Sequence, residues 1–158
     1  MTYLKWVNRI LSAVLAVCIL ASTPVTAGER DTQIKYIDCV EEISAEYNVC
    51  PELIESIIEA ESNGDKAAKN GNCTGLMQVS SEWHKDRMKR LGVKDLKDPY
   101  SNILVGTDYL MELAGEYGDL YVVLATYHGE KNIDINNPSD YVIKIVNRSG
   151  ELERIHGK

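Results

Sequence analysis

Residues 51–62 read Pro-Glu-Leu-Ile-Glu-Ser-Ile-Ile-Glu-Ala-Glu-Ser, and the fold turns on how they lie around a helix axis. Pro51 suits the first helical position, since the N–H it lacks would be unpaired there in any case. With Leu53 at zero and about 100° per residue, Ile57, Glu61, Ile54 and Ile58 fall at about 40°, 80°, 100° and 140°. Glu55, Glu59 and Glu52 fall at about 200°, 240° and 260°, the side expected to face water. The pattern predicts an amphipathic helix ending near Glu61, with that one carboxylate inside the isoleucine-leucine stripe. A buried, unpartnered carboxylate is costly when ionised, and the carbonyls of a helix C-terminus add a negative field. Both effects favour the protonated acid. Such a group, opening onto a polar loop, is what protonation of a leaving glycosidic oxygen requires. Periodicity leaves one alternative open: a helix one residue shorter would turn Glu61 into solvent or pair it with a lysine such as Lys66.

Outward from this segment, helix signals recur from Ile34 to Val146, with neither repeats nor an alternating strand pattern. They predict an all-α domain of about six helices. The first runs from about Gln33 to Tyr47, the second from Pro51 to about Glu61, and residues 62–75 form a polar loop. A third covers about Ser81 to Leu91, stopped by Gly92. Asp98-Pro99 opens a fourth, striped by Ile103, Gly106, Leu110, Leu113 and Tyr117 and ended by Gly118. A fifth spans Leu120 to Tyr127. Asn137-Pro138 starts a short sixth, with Tyr141, Val142, Ile145 and Val146 facing inward, before a polar, partly mobile tail at 147–158.

The 158 residues hold 24 acids and 17 bases, a net charge of -7, and no basic run that could track a phosphate backbone. Nucleic acid is not an expected partner. Lys5 and Arg9 precede an apolar run from Ile10 to Ala21, then Pro24 and Val25-Thr26-Ala27. Residues 1–27 read as a secretory signal peptide cleaved after Ala27, since the apolar run is too short to span a bilayer. No stable membrane anchor is expected after cleavage, and residues 28–35 read as a short linker. Cleavage removes two bases and no acid, leaving 24 acids against 15 bases. Cys39, Cys50 and Cys73 then remain in a compartment that permits disulfides, and three pairings of two are open. Neither a metal nor an organic cofactor is expected, and neither H-E-x-x-H nor G-x-S-x-G occurs.

Glu61-Ser62 is followed by Gly75-Leu76-Met77-Gln78-Val79, then Asn102-Ile103, Gly106 and Tyr109-Leu110. Together these segments resemble the soluble lytic transglycosylases, lysozyme-like enzymes that cut bacterial peptidoglycan. The resemblance covers about Tyr36 to Val146, so 36–146 is the expected catalytic domain. It implies a catalytic Glu61 with Ser62 beside it, Met77 and Gln78 lining the sugar cleft, and Tyr127 and Tyr141 closing it. It also implies cleavage of the β-1,4 bond between N-acetylmuramic acid and N-acetylglucosamine, with closure of a 1,6-anhydro ring. The family usually reads Ala-Tyr-Asn-Ala-Gly where this chain has Thr126-Tyr127-His128-Gly129-Glu130. His128 adds a titratable group there. Whether such an enzyme serves wall remodelling, an envelope-spanning secretion or conjugation machinery, or attack, the residues leave open.

Three other readings use the same residues. A hydrolytic muramidase would need Asp65 or Glu130 to activate a water on the far side of the ring. A cysteine peptidase would use Cys50 at a helix N-terminus with His84 or His128. A glycan-binding module without turnover would account for the altered segment after Tyr127.

Overall fold

The apolar stripe of residues 51–62 forms the centre of the molecule, because all three of its isoleucines are fully buried. The computed structural model describes the backbone of residues 27–158 and the side chains from Tyr36 onward; the expected signal peptide, but for Ala27, lies outside the described residues. Six α-helices are present among them: α1 (Ala27–Tyr47), α2 (Pro51–Ser62), α3 (Lys85–Leu91), α4 (Pro99–Tyr117), α5 (Leu120–Tyr127) and α6 (Asp140–Ile155). Gln33–Lys158 folds as one unit. None of the described helices is long and apolar enough to cross a membrane.

Boundaries follow local chemistry where local chemistry decides them. The Asp98 carboxylate accepts the Ser101 N–H at 2.9 Å ahead of Pro99, and Gly118 closes α4 in the left-handed region at φ 68°. Asp119 caps α5 by accepting from Tyr121 and Val122. α2 buries Ile54, Ile57 and Ile58 against α6, and α4 lays Ile103 and Leu110 against α5. Each fully buried isoleucine or leucine contributes about 1.5–3 kcal/mol through removal from water.

Three expectations are corrected. Residues 62–80 are not only loop: β1 (Lys69–Asn70), β2 (Cys73–Thr74) and β3 (Val79–Ser80) form a small antiparallel sheet in the order β1-β2-β3. Lys69 pairs with Thr74 and Asn70 with Cys73; Cys73 then pairs with Ser80 and Thr74 with Val79. Two-residue strands are too short for any alternation to be read. Second, the expected linker at 28–35 lies within α1, and the expected tail at 147–158 is mostly α6, with Ser149 and Leu152 buried. Third, Glu52 does not face water. Its side chain is 0% exposed, covered by residues that follow α6.

Glu52 survives there because it is fully partnered. The Cys50 thiol donates to it at 2.9 Å, Lys158 Nζ donates at 2.7 Å, and His156 Nδ1 lies 2.9 Å away. Burial pushes the carboxyl up, but hydrogen bonds from Cys50, Lys158 and His156 outweigh it and hold the group down at about 2. Its place in the first turn of α2 adds the favourable end of the helix dipole.

A second buried polar group ties the sheet to α4. The Asn102 amide oxygen accepts the Met77 N–H at 2.8 Å, while its nitrogen donates to Thr74 O and Leu96 O, both at 2.9 Å. Gly75 makes room for this amide. A Cβ on it would lie 2.2 Å from Asn102 Nδ2 and 2.9 Å from Leu96 O, and its φ is +82°.

Two outcomes are expected. Glu52 titrates lower in the folded chain than its ordinary 4.5, so its stabilisation is complete above about pH 4.5 and is lost as pH falls towards 2. Denaturant midpoints measured across that range should decline in the parent chain and decline less in Glu52→Gln, while the double change His156→Ala, Lys158→Ala should lower the midpoint at neutral pH. Gly75→Ala should destabilise by roughly 3 kcal/mol, combining overpacking against Asn102 with a left-handed backbone. Equilibrium urea unfolding measures it.

Candidate active site

Glu61 lies in the last turn of α2, which ends at Ser62 with Asn63 as a left-handed cap. Its side chain keeps only 14% of its surface, and its Oε1 accepts a 2.6 Å hydrogen bond from the Tyr141 hydroxyl in the first turn of α6. The helix does not stop short, and Lys66 is not the partner. Burial, the Glu61 charge and this hydrogen bond push the Tyr141 phenol far above its ordinary range. Tyr141 therefore stays a donor.

His128, the C-cap of α5, stacks flat on Tyr141, with centroids 3.8 Å apart and planes 16° off parallel. Its Nδ1 stands 3.9 Å from Glu61 Oε1. A titratable ring therefore sits where the family usually places a neutral amide. Tyr127 completes this side: its hydroxyl donates to Met77 O at 3.0 Å, and burial together with the Glu61 charge keeps the phenol protonated. Cys73 on β2 also feels Glu61, its thiol pushed up first by burial and then by that charge.

The other expected cleft residues take different places. Ser62 donates to Leu76 O at 2.8 Å and to Ile58 O at 3.1 Å, joining α2 to the Gly75–Val79 segment. Met77 has no exposed surface. It cannot line a cleft with its side chain; its thioether packs under Gly106, where a Cβ would come within 2.7 Å of Sδ and 3.0 Å of the Tyr127 hydroxyl oxygen. Gln78 is partly exposed, sits in the left-handed region at φ 48°, and donates to Gly75 O at 2.9 Å and Ala68 O at 3.2 Å. A non-glycine residue in that region is strained, and such strain gathers at functional sites.

The carboxylates and thiols of the rival readings are engaged elsewhere. Asp65 Oδ1 accepts the Ala67 N–H at 2.8 Å in an exposed turn, and Glu130 Oε1 accepts from Ser139 Oγ at 2.6 Å. Cys50 is no activated nucleophile. Burial and its hydrogen bond to Glu52 push the thiol up to about 11, the reverse of what a thiolate needs. Among the described residues no group of three or more His, Cys, Asp or Glu side chains is placed to hold a metal ion.

Sequence reasoning missed the linking role of Asn102 and the ring row beside Glu61. Tyr109, expected as core, is half-buried between His84 and Tyr127, at centroid distances of 4.6 and 5.5 Å. The spacing of His84, Tyr109 and Tyr127 across three elements carries no local signal.

Residues 38–141 match the family model described as Transglycosylase SLT domain. The chain is 37% identical over 90 residues to a transglycosylase of Enterobacteria phage PRD1, covering 56% of this chain and 32% of the phage protein. It is 30% identical over 96 residues to the membrane-bound lytic murein transglycosylase E of Buchnera aphidicola, covering 56% and 43%. It is 28% identical over 101 residues to the invasion protein IagB of Salmonella typhimurium, covering 59% and 62%. The chain thus spans less than two thirds of each of these relatives. Among solved structures, an inactive mutant of the lytic transglycosylase Slt from Pseudomonas aeruginosa superposes with a TM-score of 0.64 at 18% identity, over 75% of this chain and 24% of that one. The fold is that lysozyme-like, lytic transglycosylase type. With more than half its length inside the family model, the chain belongs to the transglycosylase SLT domain family.

Proposed function

We propose that the chain is a secreted lytic transglycosylase of peptidoglycan glycan strands, with Glu61 as the acid and then the base. The observation that carries the reading is the Glu61 carboxyl, nearly enclosed at the end of α2 and held at 2.6 Å by a phenol that only donates. Tyr141 occupies Oε1, so the transferable proton belongs on Oε2. Glu61 gives that proton to the oxygen bridging N-acetylmuramic acid and N-acetylglucosamine. The muramic acid's own 2-acetamido oxygen attacks the anomeric carbon, and the glycosidic C–O bond breaks. Glu61, now ionised, takes the proton of the same sugar's C6 hydroxyl. That oxygen then displaces the acetamido oxygen from the anomeric carbon and closes the 1,6-anhydro ring. No second carboxylate is needed in a substrate-assisted route, which agrees with Asp65 and Glu130 being committed to Ala67 and Ser139.

Tyr141 keeps the Glu61 carboxyl in one orientation through both proton transfers, and His128 supports Tyr141 from behind by stacking. Ser62 and Gln78 hold the Gly75–Val79 segment at the groove edge. Secretion rests on the reading of residues 1–27.

Muropeptides released from purified sacculi should carry anhydro ends by mass spectrometry; reducing ends would establish hydrolysis instead. Glu61→Gln should lower release by at least roughly a hundredfold with an unchanged helical circular dichroism spectrum. Tyr141→Phe should lower kcat by about tenfold to a hundredfold, the range for losing a hydrogen bond to a charged group. Tight sacculus binding with no fragments released by the parent chain would point to a binding module.

A further inference from the structure

Trp83 is the most exposed large apolar side chain among the described residues, at 82%. It precedes α3, next to His84. From His84 a row of rings leads to the acid: His84 to Tyr109 at 4.6 Å, Tyr109 to Tyr127 at 5.5 Å, and Tyr127 within the field of Glu61. Beside the outer end of that row lies a shallow pocket of about 350 Å³, walled by Trp83, His84, Asp86, Arg87, Arg90 and Glu112. Trp83 is its one large apolar group. The rest is polar and partly locked in place.

The locking is specific. Arg87 is ion-paired to Asp108 and, at 2.8 Å, to Glu112, and its guanidinium sits 5.2 Å from the Tyr109 ring centre. Its Nε donates to His84 Nδ1 at 3.4 Å, which puts the His84 ring proton on Nε2. Burial and the Arg87 charge both hold His84 below its ordinary range, so it stays neutral. Arg90, more than half exposed, also pairs with Asp108. An exposed ring beside ordered donors and acceptors matches one chemistry: a sugar ring, with an apolar C–H face and a polar rim of hydroxyl and acetamido groups. A protein partner would instead want contiguous apolar surface around the tryptophan, and the pocket offers none.

Resting on the reading of the Glu61 groove as a glycan-strand site, we infer that Trp83 and this pocket form a distal subsite. It takes an N-acetylhexosamine ring of the same strand, remote from the bond that is cut. Trp83 stacks on the sugar face; the His84 Nε2–H and the exposed edge of Arg90 meet its polar rim. The subsite makes longer strands better ligands than short ones, because only they reach it.

The chain has two tryptophans, Trp6 and Trp83, so Trp6→Phe makes Trp83 the sole reporter. The full chain with Trp6→Phe and Glu61→Gln is titrated with N-acetylglucosamine hexamer and, separately, trimer, following tryptophan emission and heat. The hexamer should shift the Trp83 emission to the blue and the trimer should not. Adding Trp83→Ala should weaken the hexamer about threefold to tenfold, the range of an aromatic stacking contribution, and spare the trimer. Hexamer binding by calorimetry with silent Trp83 emission and no loss in Trp83→Ala overturns the subsite. A sugar-independent blue shift that grows with protein concentration assigns Trp83 to self-association and also overturns it. Sacculus digestion by the parent chain runs in parallel: anhydro fragments with a silent Trp83 sink the subsite alone, whereas no fragments sink the parent reading with it.

Discussion

The Asn102 side chain is the contact on which the site depends. It is buried in α4, and three of its hydrogen bonds reach Met77, Thr74 and Leu96. A buried amide left unpaired is costly, so these bonds hold the Gly75–Val79 segment in one register against α4. The Met77 carbonyl then accepts the Tyr127 hydroxyl, and the Leu76 carbonyl accepts from Ser62, next to Glu61. One side chain thus ties the small sheet, α4 and α5 to the end of α2. Gly75 and Gly106 are the positions where any side chain would break that closure.

The second organising feature is the antiparallel pairing of α2 with α6. Tyr141, in the first turn of α6, meets Glu61 at the end of α2; Arg148, midway, meets Glu59; His156, just past α6, meets Glu52 at the start of α2. All three glutamates are matched along one helix pair, but to different effect. Glu52 is sealed by charged partners and held ionised. Glu61 receives a neutral phenol, with an imidazole 3.9 Å away. A phenol orients a carboxyl without supplying the fixed positive charge that would keep it ionised, and an acid-base group needs that freedom.

The same logic separates the cysteines. Cys50 gives its hydrogen to Glu52 and contributes to packing between the ends of two helices. Cys73 lies near enough to the acid for its thiol to feel the charge. Both thiols are pushed up by burial and carboxylates, which suits inert structural positions better than nucleophiles.

Residue order alone determined the helices whose signals are local: the apolar stripe of α2 with Glu61 inside it, the Asp98-Pro99 start and Gly118 stop of α4, and the bounds of α5. Those follow from periodicity and from caps that act within one turn. Tertiary structure decided the rest. The strands are two residues long and exist only because Asn102 and neighbouring backbone hold them, so no alternation could announce them. Glu52 falls on the predicted water face of α2 and is buried because His156 and Lys158, a hundred positions on, fold back to cover it. Met77 reads as a cleft residue beside Gln78 but turns into the core under Gly106. In each case the deciding partner is remote along the chain, and a charge or a packing void is settled by whichever group arrives, which a local pattern cannot encode.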